Sequence, residues 1–325
     1  MIDQYTPLLS HLARSSRTRI SNHSTMQSAL APLVGNTPLI RLTRVAAHIH
    51  PKVEVYAKAE WFNPSGSVKD RAALNIIRTA LDEGLLSKDK VLLDATSGNM
   101  GIAYAMLCAS LEIHVKLVMP ANVNHERKVI LSAYGAEMVF TDPMLGSNGA
   151  IEKANEINAK EPGRYFYANQ YDNNANWLAH YQPGGTADEI WQQTHGRITY
   201  FVTGLGTSGT FIGTSRRLKE LNPAITCISL QPDSALNGIE GWKYMPSAIK
   251  PRIYDETVAN RLLEIQTEEA QYMTRRLAKE EGLFVSPSAG AAVAGALGVA
   301  EHLNEGVIVT VLADGGYKYV SERFW

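Results

Sequence analysis

From residue 53 onward, short runs of β-branched and apolar residues alternate with amphipathic stretches. This alternation restricts the fold more than any other feature of the chain. VEVYAKA, VLLDA, IHVKLVM, EMVF, ITYFVTG, ITCISLQ and VIVTVLA read as strands. They are apolar without a clean two-residue alternation, as parallel strands buried on both faces are. Between them, residues 69–83, 100–110, 124–134, 148–159, 186–194, 209–219, 267–281 and 289–303 carry apolar positions three and four apart and read as helices. Thr267, followed by Glu268 and Glu269, has the form of an N-cap with an acidic first turn. Strands alternating with helices specify an α/β protein in three α/β/α layers, with mainly parallel sheets and right-handed crossovers. At 325 residues, two lobes are expected. Residues 233–256, with Pro246 and Pro251 among them, break the rhythm and read as a long surface excursion.

Ligands of such folds sit beyond the carboxyl ends of the strands. The segments to inspect are therefore 62–69, 95–101, 169–177, 203–210, 231–243, 285–290 and 313–319. In TGLGTSGTFIG, Gly204, Gly206 and Gly209 have the spacing of a dinucleotide fingerprint. The following helix would offer free N–H groups to a phosphate. A dinucleotide site also wants an acidic residue ending the next strand, and ITCISLQ ends in Gln231. The hydroxyls of GTSGT suit a terminal phosphate better than a buried pyrophosphate. ATSGNMG, residues 95–101, is a second polar loop before a helix and suits a carboxylate, with a simple cap by Ser97 or Asn99 as the plainer reading.

Lys69 stands where the small-residue loop NPSGSV turns into a helix. A helix N-terminus opposes its ammonium and lowers its pKa, which suits a nucleophile and base. Two anion cradles and this lysine suggest a phosphorylated aldehyde cofactor with an amino-acid substrate. The plainer alternative is a solvated lysine beside Asp70 and Arg71.

Composition narrows the classes. A net charge of −1 leaves no basic field for nucleic acid. The two cysteines, Cys108 and Cys227, lie in apolar runs and support neither a disulfide framework nor a metal site. No apolar run reaches the roughly 18 residues that cross a bilayer. Residues 1–30 carry Arg14, Arg17 and Arg19 among serines, which reads as a tail or an organelle address; LLSHLAR within it has the pattern of one or two helical turns.

The motifs together resemble a known family. NPSGSVKDRAA is similar to the lysine segment of the fold type II pyridoxal-phosphate enzymes, TSGNMG to their substrate loop, GTSGT to their phosphate loop, and GNTPLIRL to their opening motif. AEMVF, EIWQQTHGRITYFV, LQP and DGGYKY extend the likeness from about residue 31 to the end. The chain most resembles the cysteine synthases (O-acetylserine sulfhydrylases), in particular the B type. The resemblance implies a tryptophan synthase β-like fold, with an N-terminal extension at 1–30, a smaller mobile domain at 63–173, and a larger cofactor-binding domain made of 31–62 and 174–325.

It further implies a β-replacement that forms cysteine from O-acetylserine or O-phosphoserine and sulfide or another thiol, by way of an α-aminoacrylate. Lys69 would be the attachment point of pyridoxal 5′-phosphate and the catalytic base. Gly206, Thr207, Ser208, Gly209 and Thr210 would hold the phosphate, Asn99 the ring hydroxyl, and Ser288 the pyridine nitrogen. Thr96, Ser97 and Gly98, with Gln170 opposite, would hold the substrate carboxylate, and Asn99 and Met100 would complete the substrate-binding loop. A cytoplasmic homodimer with small-molecule substrates, and without nucleic acid, membrane or metal, is expected. Met100 departs from the family's threonine, which leaves open a different nucleophile, an amine or cyanide; a serine or threonine dehydratase is a separate alternative. Lys243 and Arg252 in the proline-interrupted segment would favour an anionic leaving group or nucleophile.

Overall fold

The computed structural model describes residues 28–96 and 98–325; the helical pattern expected at LLSHLAR and the side chain of Ser97 lie outside these residues. Two sheets form the frame. The larger has strand order β1-β2-β10-β7-β8-β9: β1 Leu39–Leu42, β2 Val53–Ala59, β7 Tyr200–Gly204, β8 Thr226–Pro232, β9 Arg261–Ile265 and β10 Gly306–Leu312. Only the β1–β2 pairing is antiparallel. The smaller sheet is parallel throughout, in the order β5-β4-β3-β6, from β3 Val91–Ala95, β4 His114–Pro120, β5 Glu137–Thr141 and β6 Tyr165–Tyr167. Non-sequential neighbours require crossovers, and helices supply them.

The expected strands are present, shifted by a residue or two at their ends. Three further strands, β1, β6 and β9, lie at sheet edges, where one side of a strand has no neighbour to demand apolar residues. In β9 only Ile265 is buried. The helices are α1 Lys69–Asp82, α2 Asn99–Ser110, α3 His125–Ala133, α4 Gly146–Lys160, α5 Asn174–Tyr181, α6 Thr186–Gln193, α7 Gly209–Leu221, α8 Thr267–Arg276 and α9 Pro287–Ala300. α8 runs on into a π turn, Leu277–Glu281, and α5 was not expected from the sequence. α2 and α9 are buried nearly all round, so they show no amphipathic stripe.

Two expectations need correction. Thr267 is the first helical residue rather than the cap, and its hydroxyl accepts from Gly238 N at 2.9 Å. Residues 233–256 are not simply a surface excursion. Ile239, Lys243 and Met245 are buried, and Lys243 N donates to Leu205 O at 2.8 Å. The middle of the segment therefore lies over the end of β7. Among the described residues, no helix is long and apolar enough to cross a membrane.

Candidate active site

The carboxyl ends of β2, β3, β7 and β10 converge, and two adjoining cavities lie between them. The inner cavity is lined by Lys69, Asn99, Thr203, Gly204, Gly206 to Thr210, Trp242, Ser288 and Ala313. The outer one is lined by Lys69, Thr96, Gly98 to Met100, Arg127, Ser147, Gln170, Tyr171, Lys243 and Tyr319. Lys69, Asn99 and Glu240 border both. The loops singled out in the sequence thus meet, with Lys69 at the junction.

Lys69 opens α1, just after a backbone clasp: Val68 N donates to Ala313 O at 2.8 Å, and Ser67 pairs with Asp314. Burial lowers its pKa, Asp314 opposes the shift, and Lys318 adds to it. The solvated-lysine reading fails because the side chain faces the cavities rather than bulk water. Its neighbours turn away. Asp70 accepts from Ser65 N at 2.6 Å and from the Ser65 hydroxyl. Arg71 forms a fork on Glu60, 2.7 and 2.9 Å, and reaches Glu189 at 2.7 and 2.8 Å. Lys58 completes this buried group at 2.6 Å from Glu189. Two cations thus balance two carboxylates beneath the Lys69 loop, which a buried charge cluster requires.

The inner cavity ends at the N-terminus of α7. Ser208 there has φ +71°, a left-handed conformation costly for a non-glycine residue. Its Oγ is buried and has no hydrogen-bond partner. A strained serine with an orphan hydroxyl, at the N-terminus of a 13-residue helix, is the chemistry of a phosphate cradle. Thr207 Oγ1 accepts from Asn176 Nδ2 at 3.0 Å, and Thr210 Oγ1 lies 3.4 Å from His180 Nε2. Burial first, then Arg71, push His180 down to about 3, so the ring is neutral.

The glycines have a reason other than a dinucleotide. A Cβ on Gly204 would lie 1.8 Å from the Trp242 ring, and one on Gly209 2.1 Å from Asn176 Oδ1. Gln231, one residue before the end of β8, is taken up in a side-chain pair, donating to Glu264 Oε1 at 3.1 Å.

The second loop begins α2. Asn99 is the first residue of that helix rather than its cap: Gly98 occupies the N-cap position. Thr96 Oγ1 accepts from Gly98 N and Gly101 N, each at 3.2 Å. This frees Asn99 for other partners, Asp314 Oδ2 at 2.8 Å and Lys318 Nζ at 2.7 Å. Gln170 is held by Ala95 O, 2.6 Å from its Nε2. Met100 is 2% exposed and belongs to the core as much as to the cavity wall. Ser288 lies in the first turn of α9, its Oγ 3.0 Å from that of Ser286.

Lys243 is 9% exposed. Its Nζ donates to Ser147 Oγ at 3.0 Å and sits 4.7 Å from the Tyr171 ring centre. Burial lowers its pKa to about 8. Arg252, by contrast, is 85% exposed outside the cavities, 3.7 Å from Asp172. Sequence reasoning missed Arg127, Ser147, Tyr171, Glu240, Trp242, Asp314, Lys318 and Tyr319. Arg127 is buried, pairs with Glu240 and covers the Tyr319 ring at 4.9 Å. Two signals pointed to Asp314, Lys318 and Tyr319: they follow the carboxyl end of the last strand and they lie in the DGGYKY motif.

The family model for pyridoxal-phosphate-dependent enzymes matches residues 30–314. The chain belongs to that family. Two relatives are similar over nearly their whole length. The cysteine synthase of Aquifex aeolicus is 49% identical over 91% of each chain, and cysteine synthase B of Escherichia coli is 41% identical over 90% of this chain and 95% of its own. The crystal structure of the cysteine synthase of Entamoeba histolytica superposes with a TM-score of 0.86 at 33% identity, covering 99% of this chain and 94% of the other. The fold type II resemblance and the α/β architecture are borne out, and pyridoxal phosphate is the cofactor of the family. The orphan Ser208 hydroxyl, the α7 N-terminus and Lys69 in one cavity fit that cofactor.

Proposed function

We propose that the protein forms cysteine by β-replacement, exchanging the oxygen substituent of an activated serine for sulfur. The observation that carries this reading is the place of Lys69, at the junction of a phosphate-type cavity and a carboxylate-type loop. Pyridoxal phosphate, when bound, supplies an electron sink for charge developing at the substrate α-carbon. Lys69 is its attachment point, and Gly206, Thr207, Ser208, Gly209 and Thr210 hold its phosphate. Asn99 would hold its ring hydroxyl, and Ser288 would meet its ring nitrogen. A hydroxyl there, in place of a carboxylate, leaves that nitrogen largely unprotonated and favours departure of the β-substituent.

Thr96, Ser97, Gly98 and Met100, with Gln170, orient the substrate carboxylate. Lys69, with its pKa lowered by burial, takes the α-proton and later returns it. In the net exchange the Cβ–O bond breaks, the oxygen leaving with the electron pair, and a Cβ–S bond forms. We also propose a cytoplasmic homodimer, in which the division into a smaller domain at 63–173 and a larger one allows the cavity to close over substrate. Two buried free thiols accord with a reducing compartment.

The test is reduction with borohydride followed by peptide mapping, alongside cysteine formation from O-acetylserine or O-phosphoserine and sulfide. Label on Lys69, cysteine as product, and loss of both in Lys69→Ala are expected. Label on another residue, or pyruvate as the main product, overturns the reading.

A further inference from the structure

Asp314 is fully buried at the end of β10, beside the Lys69 loop. One oxygen, Oδ2, accepts from Asn99 Nδ2 at 2.8 Å and from the Tyr319 hydroxyl at 2.9 Å. The other, Oδ1, is buried and accepts from nothing. A buried carboxylate oxygen without a donor costs free energy and calls for an explanation.

Asn99 is fixed from both sides. Lys318 Nζ can only donate, so it must face the amide oxygen, at 2.7 Å. A carboxylate can only accept, so Asp314 must face the amide nitrogen. The amide therefore has one orientation, and Asn99 borders both cavities.

The charges around Lys69 leave Asp314 distinct. On its own helix, Asp70 is bound to Ser65, and Arg71 to Glu60 and Glu189. From α5, His180 is neutral. From α3, Arg127 pairs with Glu240 of the opposite segment, and Lys243 there reaches Ser147. Lys318 binds Asn99 and Gly66 O rather than Asp314. Among the described residues, Lys69 itself makes no ion pair.

We propose that Asp314 is a positioning residue with two tasks: Oδ2 holds the Asn99 amide with an N–H edge toward the cavity, and Oδ1 is the counter-ion reserved for the Lys69 nitrogen when it carries a proton. This inference rests on the β-replacement reading. When the Cα–H bond breaks, the proton goes to Lys69. The electron pair moves to the Cα–Cβ bond as the Cβ–O pair departs with the leaving group. The charge gained at Lys69 is then balanced without rearranging the cavity.

The test uses the holoenzyme and reads its visible cofactor absorbance against pH. Asp314→Asn removes a negative charge that favours the protonated nitrogen. The pH at which the neutral-pH band is lost on raising pH should therefore fall by about one pH unit or more, the usual effect of removing a neighbouring opposite charge. Lys318→Met removes an opposing positive charge and should move that pH upward. A structural role would not give shifts of opposite sign. If borohydride still labels Lys69 but the band of Asp314→Asn is lost no earlier than that of wild type, including the case where neither is lost, the Asp314 proposal falls alone. Lys318→Met, with a downward shift or none, overturns it by itself should the other variant not fold. Absence of label on Lys69 is the separate failure of the β-replacement reading.

Discussion

Lys243 illustrates how burial turns an ordinary residue into a candidate for recognition. A lysine this enclosed is normally paired with a carboxylate. Here the contacts are the Ser147 hydroxyl and the face of Tyr171. Both leave positive charge to spare, and they border the outer cavity, where the proposed function puts the substrate. Glu240 on the same wall is already committed to Arg127. An anionic substituent on the β-carbon would complete the coordination, since the proposed reading assigns the α-carboxylate to the loop at 96–100. Lys243→Met, which keeps the apolar stem, should raise KM for O-phosphoserine about tenfold more than KM for O-acetylserine, as loss of about 1.4 kcal/mol in one charged contact would do. Steady-state kinetics with both donors decides the matter. An equal rise would place Lys243 at the carboxylate common to both.

At the scale of elements, the loop from β7 into α7 exchanges stability for binding. Ser208 adopts φ +71°, and its hydroxyl gains no hydrogen bond from it. Ser208→Gly should raise the stability of the cofactor-free protein in urea by about 0.5–1 kcal/mol, by removing left-handed strain. The same change should weaken cofactor binding about tenfold or more, since a hydroxyl bond to a charged group contributes about 1.5–3 kcal/mol. A variant that binds the cofactor as tightly as wild type would mean that the hydroxyl faces something else. This loop was legible in the sequence because glycine and hydroxyl residues follow a strongly apolar strand. The Lys69 loop and the long buried strands were legible for the same reason, a run of one chemistry broken by another. β1, β6 and β9 were not, because edge strands are short and half exposed. Asp314, Arg127 and Glu240 were not either, because each owes its role to a partner more than a hundred residues away: Asp314 to Asn99, Arg127 to Glu240. Only position beyond a strand end and the DGGYKY motif pointed toward the first of these.

For the whole molecule, acid stability follows from how charge is buried where the two sheets meet. His180 is held neutral at about 3, against about 6.5 when exposed. At pH values between these, the unfolded chain binds a proton that the folded chain refuses. Stability from this residue is therefore complete above about 6.5 and is lost as pH falls toward 3. Glu60 acts in the same direction at lower pH: burial alone would raise it, but Arg71 holds it at about 2. Asp94 and Asp70 act oppositely, since burial raises them to about 7 and about 6 and the folded chain gains protons first. The acid limb of the wild-type protein is thus a sum of opposing contributions, and only a difference isolates one of them. Between pH 7 and pH 5, the stability advantage of wild type over His180→Gln should shrink by about 2 kcal/mol. Urea unfolding of both proteins at the two pH values measures it. A constant difference would mean that the ring titrates in the fold as it does in the unfolded chain, and an advantage that grew toward pH 5 would mean that it is held protonated, with Thr186 and Thr210 as acceptors at 2.8 and 3.4 Å. The phosphate loop would then have a positive charge behind it.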